Sequence, residues 1–228
     1  MAYLLAIETA TEICSIALGD NAQCVALVES DKENSHAEKI MVFVKEALRQ
    51  ANISPSMLDA ICISEGPGSY TGLRIGTSSA KGLCYALNIP LIAVSTLHSM
   101  AWGAREKYPK QNQYCPMIDA RRMEVYSAIY NSDLQIITHP TNVIVDENAY
   151  SEFLQKDSVV FSGNAVEKTK SLLLSNANAV FADTKTSASY LLELGYEKYK
   201  RKDFVDTAYF EPFYLKEFQS GTPKVKGL

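Results

Sequence analysis

Ligands for a metal ion are scarce in this sequence. Its three histidines, His36, His98 and His139, have no second histidine three or four residues away, as a helical metal site needs. Its five cysteines include no C-x-x-C pair, and an odd count of scattered cysteines argues against both a zinc site and a disulfide framework. The pattern favours free thiols in a reducing compartment and predicts no resident metal.

Long apolar runs and an excess of positive charge are also absent. The 22 Lys and Arg residues face 26 Asp and Glu residues, and the net charge of −4 does not indicate a stand-alone nucleic-acid binder. The one basic cluster, 198–202, is interpreted as the solvated end of a helix rather than an RNA contact. Glu8 and Glu12 interrupt the apolar N-terminal stretch, which favours a strand over a signal peptide. We therefore expect a cytosolic protein that does not contact a membrane.

The apolar pattern predicts two successive units with the same order of elements. In the first half, three strand-like runs precede a helix at 36–51, a fourth strand and a second helix at 70–87. The second half repeats three strand-like runs before further helical patterns, including a short one at 147–156 and a long one at 187–202. An aromatic segment, 207–218, is expected to pack back against the body. This repeated β-β-β-α-β-α order predicts an α/β protein made of duplicated ribonuclease-H-like units, as in the actin-like ATPase and sugar kinase superfamily.

The repeat also predicts two lobes. The N-terminal lobe, 1–107, contains the two long helices, and the smaller C-terminal lobe, 108–228, ends in the aromatic tail. Ser35 and Glu38 form the capping-box pattern at the start of the first helix. Apolar residues at helical spacing predict the buried face of that helix: Ala37, Ile40, Met41, Val44, Ala47, Leu48 and Ala51.

Glycine is concentrated in one stretch, "SEGPGSYTGLRIG" at 64–76. A glycine-rich turn between a strand and a helix can bind phosphate, but the spacing fails both nucleotide motifs. Thr71 stands where G-x-G-x-x-G needs its third glycine, and Lys81 precedes Gly82 where a P-loop lysine follows its glycine. We interpret the stretch as a sharp turn with a helix cap that allows close packing. The predicted structural residues are Gly66, Pro67, Gly68, Ser69, Thr71, Gly72 and Gly76.

The helix at 70–87 is predicted to have two unlike sides. At 100° per residue, small residues fall on the side of two leucines and should allow close packing against a neighbour: Gly72, Gly76, Ser79, Ala80, Leu83 and Leu87. The opposite side is predicted to stay open to solvent or a partner: Arg74, Thr77, Ser78, Lys81 and Tyr85.

Side chains at strand ends are the remaining candidates for chemistry. Four carboxylates could surround a cleft between the halves: Glu8, Glu12, Asp119 and Glu124. Thr9 and Thr11 lie where actin-like ATPases form a phosphate hairpin, so Glu8, Thr9 and Thr11 are a candidate vestigial nucleotide site, although that hairpin favours glycine. The preferred interpretation of "IDARRMEVY" is turn chemistry with an ion pair, and an acid–base role stays open. No Ser or Cys lies in a G-x-S-x-G elbow.

Several segments carry a family resemblance. "GPGSYTGLRIGTSSAKGL" closely resembles the signature of the bacterial TsaB family, also called YeaZ. Four further regions are similar to that family in the same order along the chain: "LAIETATEICSIAL" with "SHAEKI", "VSTLHSMAWG", "IDARRMEVYSAIY" and "PFYLK". One departure is Glu8, where the family usually has aspartate.

The resemblance implies an accessory protein for making threonylcarbamoyladenosine beside the anticodon of tRNA, without catalytic or metal-binding residues of its own. It implies a heterodimer with the transferase TsaD through the helices at 36–51 and 70–87, the ATPase TsaE as a third member, and tRNA contact only through the complex. The implied interface residues are His36, Lys39, Phe43, Arg74, Ser78, Lys81 and Tyr85. No cofactor is implied for the isolated chain. ATP at the complex interface and a homodimer of the isolated chain both stay open.

A second hypothesis belongs to a different class of protein. The chain could be an autonomous actin-like nucleotide-binding enzyme or a metallopeptidase homologue, the class in which related proteins were once placed. Calorimetric titration with Mg-ATP distinguishes the two hypotheses, because an autonomous nucleotide-binding enzyme must bind ATP without a partner.

Overall fold

The computed structural model describes residues 2–30 and 36–216, which form two mixed β-sheets with helices packed on them. The elements of the first half are β1 Tyr3–Glu8, β2 Cys14–Asp20, β3 Gln23–Ser30, α1 His36–Ala51, β4 Ala60–Ser64, α2 Tyr70–Leu87, β5 Leu91–Val94 and α3 Thr96–Lys107. Those of the second half are β6 Gln113–Asp119, β7 Glu124–Asn131, β8 Ile136–Ile144, α4 Ser151–Leu154, β9 Val159–Ser162, α5 Val166–Leu173, β10 Ala179–Ala182 and α6 Ser189–Lys200. A 3₁₀ turn, Pro55–Met57, precedes β4.

The two sheets share one topology. The first runs β3-β2-β1-β4-β5 and the second runs β8-β7-β6-β9-β10. In each unit the first three strands pair antiparallel, the fourth strand pairs parallel with the first, and the fifth pairs parallel with the fourth. The predicted duplication of a ribonuclease-H-like unit is therefore confirmed.

Strand β1 is apolar from Leu4 to Ile7 because helices cover both faces of its sheet. Leu5 and Ile7 belong to the core that the sheet shares with α1 and α2, whereas Leu4 and Ala6 pack with residues of α6. Successive side chains of a strand point to opposite faces, so a run without polar residues is what a doubly covered strand needs.

The helices α3 and α6 connect the two halves. Helix α3 packs on the second sheet through Leu97 and Met100, although it follows the first unit in the chain. Helix α6 follows the second unit and packs on the first sheet. The opposite face of the second sheet is covered by α4 and α5. The division into 1–107 and 108–228 stays a prediction, and these two helices pack across it.

Helix α4 is shorter than the helical pattern at 147–156 predicts. The residue before it, Tyr150, has a left-handed backbone with φ of 64°, which a right-handed helix cannot continue through. Asp146 also accepts a hydrogen bond from the backbone N–H of Asn148, forming a local turn that competes with a helix. The local turn explains why only Ser151–Leu154 are helical.

The buried face of α1 is narrower than predicted. Ile40, Val44, Ala47 and Leu48 are buried, but Ala37 and Met41 are exposed. The apolar spacing could not exclude them, because Ala37 lies one helical turn before Ile40 and Met41 lies directly after it. Ser35 of the predicted capping box lies outside the described residues.

Residues 203–216, here called the C-terminal strap, lie across α2 and the edge of the first sheet. Val205 forms an isolated antiparallel bridge with Leu91, and Phe210 packs against the core beneath α1 and α2. The backbone N–H of Phe213 donates to the carbonyl of Glu65 at 2.7 Å. Within the described ranges, no helix is long and apolar enough to cross a bilayer.

Candidate functional site

Glycines at the start of α2 bring this helix directly against the turn between β1 and β2. A Cβ on Gly72 would overlap the carbonyl oxygen of Thr9, and a Cβ on Gly68 would overlap that of Ala10. A Cβ on Gly76 would overlap the hydroxyl of Thr9. Close packing is therefore the reason for glycine at these three positions, against backbone at Gly68 and Gly72 and against a side chain at Gly76.

Three N–H groups of the glycine loop donate to acceptors within the protein itself. Ser69 N–H donates to the carbonyl of Ala10 at 2.7 Å, and Gly72 N–H donates to the Ser69 hydroxyl at 3.3 Å, as a helix cap does. Gly66 N–H donates to the Thr96 hydroxyl at 3.1 Å. A phosphate site needs such groups to be free, so these three are not available to bind one.

Glu8 is a fully buried carboxyl group at the end of β1. Its Oε1 accepts hydrogen bonds from Ala10 N–H at 2.6 Å and from the Ser64 hydroxyl at 2.9 Å. Its Oε2 has no partner among the described residues. Burial raises the pKa of Glu8 to about 7, and the hydrogen bonds oppose that shift only in part. The group can thus hold a proton near neutral pH, but it is sealed from solvent.

The other two residues of the candidate vestigial nucleotide site are buried as well. The Thr9 hydroxyl donates to the carbonyl of Gly72, and the Thr11 hydroxyl lies 2.6 Å from that of Thr186. Neither threonine has a hydroxyl turned to an open cleft in the described structure.

A cavity of about 280 Å³ lies between Glu12 of the first unit and the α5 and β10 region of the second. Its charged lining is mixed: Glu12, Glu167, Lys170, Asp183 and Lys185. Glu8, Thr9 and Thr11 do not line this cavity. Among residues 2–30 and 36–216, no three His, Cys, Asp or Glu residues are grouped so that they could hold a metal ion. The four candidate carboxylates are not brought together around this cleft.

Asp119 and Glu124 lie at the turn between β6 and β7. Asp119 accepts the backbone N–H of Arg121 at 2.7 Å and pairs with Lys168 Nζ at 2.5 Å. Glu124 pairs with Lys216 of the strap, whose hydrogen bond lowers the pKa of that carboxyl group. Turn chemistry with an ion pair is thus what the structure contains, and the partner of Asp119 is Lys168.

Helices α1 and α2 pack side by side on one face of the first sheet, and their outward faces form what we call the α1–α2 surface. Its exposed residues on α1 are Ala37, Glu38, Met41, Val42, Lys45, Arg49 and Gln50. Those on α2 are Thr71, Arg74, Ser78, Gly82 and Tyr85. The α2 face contains no acidic residue, and most of its side chains are small.

The residues expected at a partner interface differ in their accessibility. Ser78 is exposed, and Tyr85 is 89% exposed. His36 and Phe43 are half-buried: the His36 ring lies 2.9 Å from the carbonyl of Thr11, and Phe43 packs against the core. Lys39 donates to the Ser30 hydroxyl at 3.0 Å.

The C-terminal strap covers part of the side of α2 that was predicted to stay open to solvent or a partner. Lys81 Nζ donates to the carbonyls of Ala208 and Phe210 at 2.8 and 3.2 Å, so this lysine anchors the strap. The Arg74 guanidinium stacks over Tyr70 at 4.1 Å and donates to the hydroxyl of Tyr214. Thr77, predicted on the open side, is buried, because α2 has the sheet, α1 and the strap as neighbours rather than one partner face.

Three features of this surface were not predicted from the sequence. Gly82 is exposed in the middle of α2, and a Cβ there would meet no heavy atom of the described structure within 4 Å. Val42 is 60% exposed beside Met41. A groove of about 630 Å³ runs between the end of α2 and the strap, next to Tyr85. Gly82 is the one of these features that the sequence could have indicated, because glycine destabilises a helix interior unless a close contact requires it.

Two of the four cations in the basic cluster at the end of α6 have acidic partners. Lys200 pairs with Glu197 at 2.6 Å, and Lys198 pairs with Asp203 at 3.2 Å. These contacts agree with a solvated helix end.

The fold and this site define the class of protein: a duplicated ribonuclease-H-like chain of the actin-like ATPase and sugar kinase type, whose first hairpin is filled by packing. A family model described as "TsaD: tRNA N6-adenosine threonylcarbamoyltransferase" matches residues 30–217. The "tRNA threonylcarbamoyladenosine biosynthesis protein TsaB" of Bacillus subtilis is 33% identical over 75% of this chain and 74% of its own length. The chain belongs to the TsaB (YeaZ) family.

Two further relatives agree over greater lengths. The Haemophilus influenzae protein of the same name is 28% identical over 93% of each chain. The solved structure of YeaZ from Pseudomonas aeruginosa superposes with a TM-score of 0.83 at 27% identity, covering 94% of this chain and all of that one.

Proposed function

We propose that this chain is a non-catalytic subunit of the bacterial complex that makes threonylcarbamoyladenosine in tRNA, and that it binds and stabilises the transferase TsaD through the α1–α2 surface. Its relatives carry the name of tRNA threonylcarbamoyladenosine biosynthesis proteins. The filled hairpin and the occupied loop N–H groups support a role that depends on surface rather than on bound nucleotide.

The observation that carries the proposal is Gly82. Glycine in a helix interior costs about 0.5–1 kcal/mol relative to alanine, and no contact within the described chain recovers that cost here. Gly82 and the exposed Ser78 and Thr71 have small side chains or none, so another helix can approach the outer side of α2 closely. A helix from TsaD packed on this line would explain why the position lacks a side chain.

Two features beside this line offer anchors for a partner. Tyr85 presents nearly its whole ring next to the groove of the strap, and Met41 with Val42 adds apolar area on α1. Tyrosine is one of the residues that most often contribute a large share of the binding free energy in protein interfaces, and the apolar neighbours help to exclude water. We propose that TsaE joins the pair and that tRNA reaches this chain within the complex.

The test is a pair of identical substitutions on exposed helix positions. Ser78→Arg places a long cation on the proposed contact line, and Ser171→Arg places the same side chain on α5 of the second unit. Neither should lower the melting temperature. We expect Ser78→Arg to raise the Kd for TsaD at least ten-fold and Ser171→Arg to leave it unchanged. Equal affinity of both variants would exclude the α1–α2 surface.

Gly82→Ala sharpens the test in the opposite direction. The added methyl group meets open space in the isolated chain and should raise its melting temperature, while weakening TsaD binding by filling the contact line. Calorimetric titration of the isolated chain with Mg-ATP addresses the competing hypothesis, because tight ATP binding without TsaD would indicate an autonomous nucleotide-binding protein.

A further inference from the structure

Two consecutive arginines at the turn between β6 and β7 have an unusual backbone. Arg121 and Arg122 are both left-handed, with φ of 72° and 48°. Side chains with a Cβ are sterically disfavoured there, and glycine or asparagine relieves the clash. Of the six other left-handed positions in the described chain that are not glycine, asparagine occupies three, Asn21, Asn52 and Asn88, and the rest are Leu134, Tyr150 and Lys202.

The surrounding structure holds this turn in place. Lys168 Nζ donates to the carbonyls of Arg122 and Glu124 at 2.8 and 2.7 Å, in addition to its ion pair with Asp119. The backbone of Asp119 is held in turn by the side chain of Asn164 at 2.9 Å. A strained conformation that is fixed by several contacts presents its side chains in a defined direction.

The charges of the turn do not cancel. Asp119 is paired with Lys168, and Glu124 is paired with Lys216. Arg121 and Arg122 are both exposed, and neither side chain forms an ion pair or hydrogen bond with the described residues. Two guanidinium groups therefore stand as surplus positive charge on a chain whose net charge is −4.

We propose that Arg121 and Arg122 bind backbone phosphate groups of the tRNA on which the complex acts. This inference rests on the proposed function, which brings RNA to the complex. Guanidinium groups stay charged at all physiological pH values and match phosphate oxygens with two parallel hydrogen bonds. Glycine at these two positions would remove the backbone strain. The presence of two arginines there instead indicates that their side chains, rather than the turn itself, have a role.

The experiment compares three double variants in the full chain assembled with TsaD. Arg121→Gly with Arg122→Gly removes charge and strain, and Arg121→Gln with Arg122→Gln removes charge alone. Lys200→Ala with Arg201→Ala removes the same two charges from the end of α6 and serves as the matched control. Fluorescence anisotropy with a labelled unmodified tRNA transcript is measured between 50 and 200 mM salt.

We expect the Gly and Gln variants to bind tRNA about ten-fold more weakly, with the slope of log affinity against log salt reduced by about 1.5, or roughly 0.7–0.9 for each lost phosphate contact. The control should keep the wild-type affinity and slope. The Gly variant should also match or exceed the wild-type melting temperature, whereas the Gln variant should not gain stability. If the Gly variant does not fold, the Gln variant alone decides.

Other outcomes overturn the inference. These are an unchanged tRNA affinity, an equal loss in the α6 control, or a loss of TsaD capture that accounts for the RNA effect. An Mg-ATP titration of the same variants separates the sources of phosphate, since lost ATP binding with intact RNA binding would assign the arginines to a nucleotide. Capture of TsaD by the wild-type chain is measured first. If it fails, the proposed function fails, and the same RNA titrations on the isolated chain decide the arginine contact.

Discussion

The two units of this protein share a strand order but differ at the turn that follows their first strand. In the first unit, the β1–β2 turn is buried beneath α2, and the acidic residue before it, Glu8, is sealed from solvent. In the second unit, the β6–β7 turn is exposed, and the corresponding acidic residue, Asp119, forms an ion pair with Lys168. The same topology therefore supports an occluded turn in one half and an accessible, positively charged one in the other.

The helices explain this difference. In the first unit α1 and α2 have 16 and 18 residues, whereas in the second α4 and α5 have 4 and 8. The long α2 begins with the glycines that let it cover its turn, and its outer face remains available for a partner. The short α5 leaves its turn uncovered. Duplication of a fold thus allowed one half to present a helix pair and the other to present a turn.

The largest expected change in stability comes from a substitution on α2 where it packs on the buried β1–β2 turn of the first unit. Gly72→Ala places a methyl group against the backbone carbonyl of Thr9, which cannot move without displacing β1. We expect the free energy of unfolding to fall by roughly 3 kcal/mol or more, at the upper end for overpacking, or the chain not to fold. Urea denaturation measures this change, with Gly82→Ala on the same helix as the control that should be neutral or stabilising. A wild-type midpoint for Gly72→Ala would mean that α2 does not seal the turn.

The next effect tests the two acidic residues against each other. Glu8 has a pKa of about 7 in the folded protein and an ordinary value of 4.5, so the folded state binds the proton more tightly. Stability should therefore fall as the pH rises from about 4.5 to about 7, by about 3 kcal/mol at most, and level off above that range.

Glu8→Gln should remove this pH dependence, and Asp119→Asn in the exposed turn should leave it in place. Denaturation midpoints at pH 4.5, 6 and 8 provide the measurement. A slope that persists in Glu8→Gln would assign the pH dependence to another group.

A smaller effect concerns the strap that covers α2. Lys81→Ala removes the two hydrogen bonds to the carbonyls of Ala208 and Phe210 and should cost about 1 kcal/mol. Hydrogen exchange should increase in residues 205–213 and not in the β6–β7 turn. Unchanged protection of the strap would show that its apolar contacts suffice to hold it.

The smallest effect is expected at the end of α6. Lys200→Ala with Arg201→Ala removes one exposed ion pair and no buried contact, so stability should change by less than about 0.5 kcal/mol. Thermal unfolding checks this expectation, and a large drop would reveal a structural role for the basic cluster.

Part of the site could be predicted from the sequence because it depends on local chemistry. The failure of the nucleotide motifs at Thr71 and Lys81 and the cap at Ser69 follow from residue spacing alone. The exposure of Met41 and the burial of Thr77 could not be predicted, since both depend on which elements pack beside each helix. The contacts of Lys81 with the strap join residues more than 120 positions apart, beyond the reach of any local pattern.

The sequence by itself determined the order of strands and helices, the duplication, and the need for close packing at the glycines, because periodicity and glycine spacing are local properties of the chain. Only the tertiary structure decided that the β1–β2 turn is occluded while the β6–β7 turn exposes two strained arginines. Only the tertiary structure decided that α3 packs on the second sheet, that α6 packs on the first, and that the strap lies on α2. These outcomes depend on burial and on distant partners, which arise only when the whole chain has packed.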